Sequence, residues 1–99
     1  MITLVRTFSI MPGKAGEAVA FAHKAKAYVK EKYSLDMGLN MPIGGNPYRI
    51  AFVSMAPSLA EFEALMGKLA MDADYQAMIA ANAANVIPGS VHDDIWRTI

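Results

Sequence analysis

Two groups of residues in this 99-residue chain have the types and spacing that chemistry needs, and they lie near its two ends. Arg6 stands within an alternating apolar run, which predicts that its guanidinium faces a covered side of a strand. His92 and Asp94 are two residues apart, which places both on one side of a strand. A carboxylate beside an imidazole can orient it for acid–base work. Arg6, His92 and Asp94 are therefore the candidate catalytic residues.

Each candidate has a second interpretation that the sequence leaves open. A buried, unpaired guanidinium is costly, so Arg6 is expected to be largely buried and paired with Asp93 or Asp94 on the neighbouring last strand. The ion pair either only pins one strand to the other, or leaves a donor free for a carboxylate or enolate oxygen of a ligand. In the same way, His92 and Asp94 either form an acid–base pair or end a strand in solvent.

Three aromatic residues, Tyr48, Phe52 and Trp96, are the candidate ligand-binding residues. Aromatic walls with a few polar groups are typical of small-molecule sites, so these side chains could line an apolar cleft. The alternative is ordinary packing in the core and in a subunit interface, where tryptophan is enriched.

Composition excludes several other kinds of site. The chain has no cysteine, and its two histidines, His23 and His92, are far apart, so we predict no metal site, no haem and no flavin. Nine basic residues balance nine acidic ones, and the one cationic cluster is typical of a solvated helix face; its residues are Lys24, Lys26, Lys30 and Lys32. No nucleic-acid partner is therefore predicted. No apolar run approaches the roughly 18 residues of a membrane span, and no signal peptide is recognisable. We expect a cytoplasmic protein with no membrane association.

The elements that must position these residues follow the order β-α-β-β-α-β. The predicted strands cover 2–11, an irregular edge strand 35–43, 48–56 and 90–98, and the predicted helices cover 14–33 and 58–84. Ser58 and Glu61 form a capping box, and the second helical region breaks at 72–74, with Asp74 as the expected N-cap of its second half. This order predicts one α+β domain over residues 1–99, with a four-stranded antiparallel sheet.

The apolar share of the chain predicts an oligomer. At 55% it exceeds the usual share of about 45–50% for soluble domains. Because large exposed apolar patches are rare on soluble monomers, we expect the surplus to lie in a homodimer interface.

The element order, the strand Arg6-Thr7-Phe8 leading into Pro12-Gly13-Lys14, and the break at Asp72-Ala73-Asp74-Tyr75 resemble the dimeric α/β-barrel superfamily. The first strand and its Pro-Gly exit are most similar to the NIPSNAP-like branch, which is related to the antibiotic-biosynthesis monooxygenases. The resemblance implies ferredoxin-like subunits whose sheets meet in a homodimer and close a barrel. Haem-degrading members use an asparagine on the first strand, and cyclase members use histidines around the second helix. This chain has neither, so no enzyme role is carried over residue by residue.

Two functions therefore remain open from the sequence. The first is a small-molecule-binding protein that acts as a cofactor-free enzyme of the monooxygenase, cyclase or isomerase type. Its ligand would be an aromatic or polyketide-like compound held between the sheet and the helices. The alternative is a non-catalytic structural or binding homodimer. Polar groups converging in a cavity would favour the first function, and a space filled solidly with apolar side chains would favour the second.

Overall fold

The computed structural model describes residues 1–99 and has the predicted order of elements. The strands are β1 (Ile2–Ser9), β2 (Gly38–Asn40), β3 (Arg49–Ala56) and β4 (His92–Arg97), and the helices are α1 (Ala15–Tyr33), α2 (Leu59–Ala70) and α3 (Ala73–Asn82). The four strands form one antiparallel sheet in the order β2-β3-β1-β4. The predicted ferredoxin-like α+β fold, with its split second helix, is confirmed.

Strand alternation divides the sheet into two faces with different surroundings. The helix face carries Leu4, Arg6 and Phe8 of β1, Ile50, Phe52 and Ser54 of β3, and Asp93 and Ile95 of β4. The open face carries Thr3, Val5 and Thr7 of β1, Ala51, Val53 and Met55 of β3, and His92, Asp94 and Trp96 of β4. On β1 and β3 the buried side chains all belong to the helix face. The core therefore lies between the sheet and the helices.

Helix α1 packs on the sheet through a stripe of small residues. Its buried side chains are Ala18, Ala22, Ala25 and Val29, spaced three or four apart and so on one side of the helix. They join one apolar cluster with strand residues of the helix face. Neither this 19-residue helix nor any other is long and apolar enough to cross a membrane.

Both halves of the second helical region begin at side-chain caps. The Ser58 hydroxyl accepts a hydrogen bond from the backbone N–H of Glu61, as predicted. The prediction that Asp74 caps α3 is wrong, because α3 begins at Ala73 and the residue before it is Asp72. The Asp72 carboxylate accepts hydrogen bonds from the backbone N–H groups of Asp74 and Tyr75, each at 3.1 Å.

The same Asp72 carboxylate also fastens α3 to α1. It accepts hydrogen bonds from the hydroxyl of Tyr33 at 2.6 Å, the hydroxyl of Tyr28 at 2.8 Å and the ammonium of Lys32 at 2.9 Å. Its side chain is only 2% exposed. The hydrogen bonds from Tyr33 and Lys32 hold the pKa of Asp72 well below its usual range, so the group is a carboxylate at neutral pH.

The predicted edge strand is confirmed but is shorter than expected. Only Gly38–Asn40 pair with β3, whereas the apolar alternation predicted a strand over residues 35–43. Pro42 has no N–H to donate to a strand ladder, which limits pairing on one side. On the other side Met37 is buried, and its carbonyl accepts a hydrogen bond from the ammonium of Lys26 instead of from a strand.

Candidate functional site

A bidentate ion pair crosses the helix face between β1 and β4. The strand register places Arg6 directly opposite Asp93. The Nε of Arg6 donates to Oδ1 of Asp93 and its Nη2 donates to Oδ2, both at 2.7 Å. The predicted pairing of Arg6 is thus confirmed, with Asp93 as the partner. The expected depth of burial is wrong, since the Arg6 side chain is 40% exposed. The reason is that β4 lies at the sheet edge, where all six of its residues are exposed.

The ion pair leaves part of the guanidinium unused. The hydrogen bond from Arg6 lowers the pKa of Asp93, and the hydrogen bond to Asp93 raises the pKa of Arg6, so both groups are charged at neutral pH. A guanidinium has five N–H donors, and Asp93 occupies one on Nε and one on Nη2. The Nη1 edge of Arg6 therefore keeps donors that no protein group accepts from.

Arg6 lies where two cavities meet beneath the helix face. The first has a volume of ≈ 370 Å³ and extends toward α2, where Phe62 and Met66 line it. The second has a volume of ≈ 500 Å³ and extends toward the loop before β4, where Val91 lines it. Both are lined by Arg6, Phe52, Tyr75 and Ile79, and together they form what we call the cleft. These volumes fall within the range of about 300–1,000 Å³ that is typical of small-molecule sites.

The walls of the cleft are mostly apolar. Twelve of the 16 residues that line the first cavity and nine of the 13 that line the second are hydrophobic. Two polar side chains of the lining already have hydrogen-bond partners within the protein. The amide of Gln76 donates to the carbonyl of Leu69, and the side chain of Asn82 accepts from Asn85. Arg6 and Asp93 are the only charged residues among the lining residues.

Tyr75 adds a phenol to the wall that the two cavities share. It lies in the first turn of α3, where Asp72 caps its backbone N–H, and its ring lies 6.0 Å from that of Tyr28. Burial raises the pKa of Tyr75, while the nearby charge of Arg6 acts in the opposite direction, so the phenol is protonated at neutral pH. The hydroxyl has no hydrogen-bond partner within the protein. Tyr75 was not among the site residues predicted from the sequence, where the helix break just before it was the one available signal.

The structure separates the residues that the sequence marked as site candidates. Phe52 lines both cavities with Arg6. His92, Asp94 and Trp96 lie on the open face, with Nε2 of His92 3.2 Å from Oδ1 of Asp94 and Trp96 63% exposed. Tyr48 precedes β3, is 60% exposed and lines neither cavity. Of the six candidates, only Arg6 and Phe52 therefore line the cleft, and the roles of all six stay predictions.

No group of three side chains that could hold a metal ion occurs in the structure. His92 has one carboxylate beside it, that of Asp94, and His23 lies on a different element, α1.

Comparison with known proteins adds information about the fold. No protein-family model matches the sequence, and no curated protein matches it. An uncharacterized NIPSNAP domain protein from Burkholderia xenovorans matches with a TM-score of 0.85 at 17% identity, over 100% of this chain and 95% of that chain. A NIPSNAP family protein from Agrobacterium tumefaciens matches with a TM-score of 0.79 at 22% identity, over 99% and 92%. A protein provisionally named an antibiotic biosynthesis monooxygenase, from Nitrosomonas europaea, matches with a TM-score of 0.77 at 10% identity, over 100% and 99%.

These comparisons place the molecule in a class. It is a ferredoxin-like α+β protein with a half-buried ion pair at an apolar cleft. Its fold is the one found in NIPSNAP domain proteins and in the monooxygenase-like protein above, so the predicted resemblance is confirmed at the level of the fold. Identities this low show a shared fold and nothing finer.

Proposed function

We propose that this protein binds an aromatic or polyketide-like compound in the cleft and acts on it as a cofactor-free enzyme of the monooxygenase, cyclase or isomerase type. One observation carries the proposal. Arg6, which has donors that Asp93 does not use, and Tyr75, whose hydroxyl has no protein partner, both line the wall that the two apolar cavities share. An apolar space with a few placed polar groups is the usual composition of a small-molecule site.

The same observation weighs against a purely structural role. An ion pair that only pinned β1 to β4 would need no cavity on either side of it, and a well-packed core leaves few voids larger than a water molecule. Here two cavities remain beside the core, between the sheet and the helices. The non-catalytic binding dimer remains the second candidate function, and it would use the same cleft without turnover.

The cleft residues support chemistry at an oxygen atom of the ligand. Donors aimed at a carbonyl oxygen stabilise the negative charge that develops when the carbonyl becomes an enolate, and apolar walls strengthen this effect by excluding water. Arg6 would supply fixed positive charge at that oxygen, and the protonated phenol of Tyr75 would supply a second donor.

Filling the cleft should abolish ligand binding. Ile79 lines both cavities and is 39% exposed, so the larger indole of Ile79→Trp can occupy the cleft without entering the closed core. We expect the neutral probe N-phenyl-1-naphthylamine to bind the wild-type protein saturably and the variant at least about tenfold more weakly, since the variant loses the apolar burial that holds the probe. Probe fluorescence, excited where tryptophan does not absorb, measures both affinities.

The matched control is Ile43→Trp, because Ile43 is fully exposed and lies outside the cleft. It should bind the probe as the wild type does. Equal weakening by both substitutions, or none by either, would place the ligand site elsewhere.

We also propose that two copies of the chain associate through the open face. Val5 and Val53 lie side by side there, next to the half-exposed Met55 and Trp96. A stable interface of this kind buries more than about 1,200 Å² in total. Sedimentation equilibrium at low micromolar concentration should give a dimer for the wild type and a monomer for Met55→Glu, which places charge in the interface. Met71→Glu, at an exposed position on the helical side, should remain a dimer. A monomeric wild-type protein would refute the proposal.

A further inference from the structure

The charges that face the cleft sum to zero. Arg6, which lines both cavities, contributes one positive charge, and its partner Asp93, which lines the first cavity, contributes one negative charge. No other charged residue lines either cavity. Tyr75, the other titratable residue of the lining, is a neutral phenol at pH 7. The cleft therefore offers hydrogen-bond donors without net positive charge.

We propose that Asp93 is a specificity-determining residue that makes the cleft select uncharged carbonyl compounds over carboxylates. The inference rests on the proposed function, since it assumes that the ligand occupies this cleft. It assigns the ligand a chemical class, an aromatic ketone or quinone whose oxygen accepts hydrogen bonds from Arg6 and Tyr75.

The geometry of the ion pair is the basis of this selectivity. Asp93 engages the Nε–Nη2 side of the guanidinium, so an incoming group must approach from the Nη1 edge. A carbonyl oxygen can accept hydrogen bonds there at no electrostatic cost, because it carries only partial charge. A carboxylate in the same place would be attracted by Arg6. It would also be repelled by Asp93, because both oxygens of Asp93 are bound to the same guanidinium. It would also lose its hydration in an apolar cleft that holds no second cation.

Removing the negative charge of Asp93 should reverse the preference. In Asp93→Asn the guanidinium of Arg6 becomes a free cation that a carboxylate can engage through two parallel hydrogen bonds. Asp93 lies on an exposed edge strand and its side chain is 36% exposed, so the substitution is compatible with folding. Asp93→Ser serves as a second variant that frees the same cation with a smaller side chain, and circular dichroism checks that both are folded.

The matched control is Asp94→Asn. It makes the same change in net charge one residue away, but on the open face, outside the cleft. A general effect of protein charge would act in both variants, whereas an effect inside the cleft acts only at Asp93.

The experiment uses two naphthalenes of nearly the same shape, 2-acetylnaphthalene and 2-naphthoate, and equilibrium dialysis at pH 7 with wild-type protein and the three variants. We expect the wild type to bind the ketone more tightly than the carboxylate. Asp93→Asn and Asp93→Ser should bind 2-naphthoate about tenfold more tightly than the wild type does, with ketone affinity changed less than about threefold. Asp94→Asn should match the wild type for both compounds.

The outcomes separate a failure of the proposed role of Asp93 from a failure of the proposed function. A wild-type preference for 2-naphthoate, or the same gain in Asp94→Asn as in Asp93→Asn, would overturn the role of Asp93 and leave a ligand-binding cleft in place. If neither the wild type nor any variant binds either naphthalene, the proposed function is overturned and the inference with it.

Discussion

Replacement of Asp72 with alanine is expected to lower the melting temperature by about 10–20 °C, because it removes one acceptor that serves many donors. Two tyrosine hydroxyls and the Lys32 ammonium of α1, as well as two backbone N–H groups of α3, donate to this one carboxylate. Alanine would leave these groups without a partner in a site where the Asp72 side chain is 2% exposed. Thermal melts followed by circular dichroism at pH 7 measure the difference.

The effect should depend on pH with a definite sign. Because the pKa of Asp72 is lowered in the folded state, its stabilisation is fully present above the unfolded carboxyl pKa of about 4 and is lost as the pH falls toward the folded value. The difference between the wild type and Asp72→Ala should therefore narrow below about pH 4. Asp74→Ala is the control, since Asp74 is exposed in the same helical turn. An equal loss in this control would show that general charge effects in α3, rather than the Asp72 hydrogen bonds, hold the helices together.

The second large effect is expected for Phe52→Ala, which should cost about 3–5 kcal/mol of unfolding free energy. Phe52 is 9% exposed on the inner strand β3, and its ring centroid lies 5.8 Å from that of Phe8 and 6.4 Å from that of Phe21. Because its side chain also lines both cavities, the truncation should weaken probe binding as well. Urea denaturation and probe titration measure the two effects.

Tyr48→Ala is the matched control for this substitution. Tyr48 is another aromatic residue close to β3, but it is 60% exposed, so its loss should change stability by no more than about 0.5 kcal/mol. A comparable cost for both substitutions would mean that the aromatic cluster around Phe52 does not dominate the core.

Strands with a strict two-residue period were predictable from sequence. The apolar alternation of β1 predicted its faces, because a strand that is buried on one side has apolar residues at every second position. The same pattern predicted too long a β2. The side chains at 35–37 alternate because Leu35 and Met37 pack against the core, yet strand pairing begins only at Gly38. Apolar alternation therefore predicts which side chains are buried, but it does not predict which residues form strand hydrogen bonds.

The site was predictable only where it depends on strand register. Arg6 and Asp93 are 87 residues apart, but the fold makes their strands neighbours, so their pairing could be inferred. How far the helices cover an edge strand depends on tertiary packing, so the exposure of Arg6 could not be predicted from a local pattern. The convergence of Tyr28, Lys32 and Tyr33 on Asp72 was missed for a related reason. These partners are 39 to 44 residues away on another helix, whereas the local sequence pattern around Asp72 indicates only the start of a helix.

β4 is held in the sheet by its pairing with β1 alone, and every one of its residues is exposed. Such a strand detaches at a free-energy cost well below that of global unfolding, because one ladder breaks while the core stays closed. Arg6 remains on β1 during this fraying, whereas Asp93 and Ile95 leave the rim of the first cavity. Detachment of β4 therefore leaves the guanidinium of Arg6 without its partner. While the strand is detached the cleft holds an unpaired cation, and it regains its neutrality when Asp93 returns to Arg6.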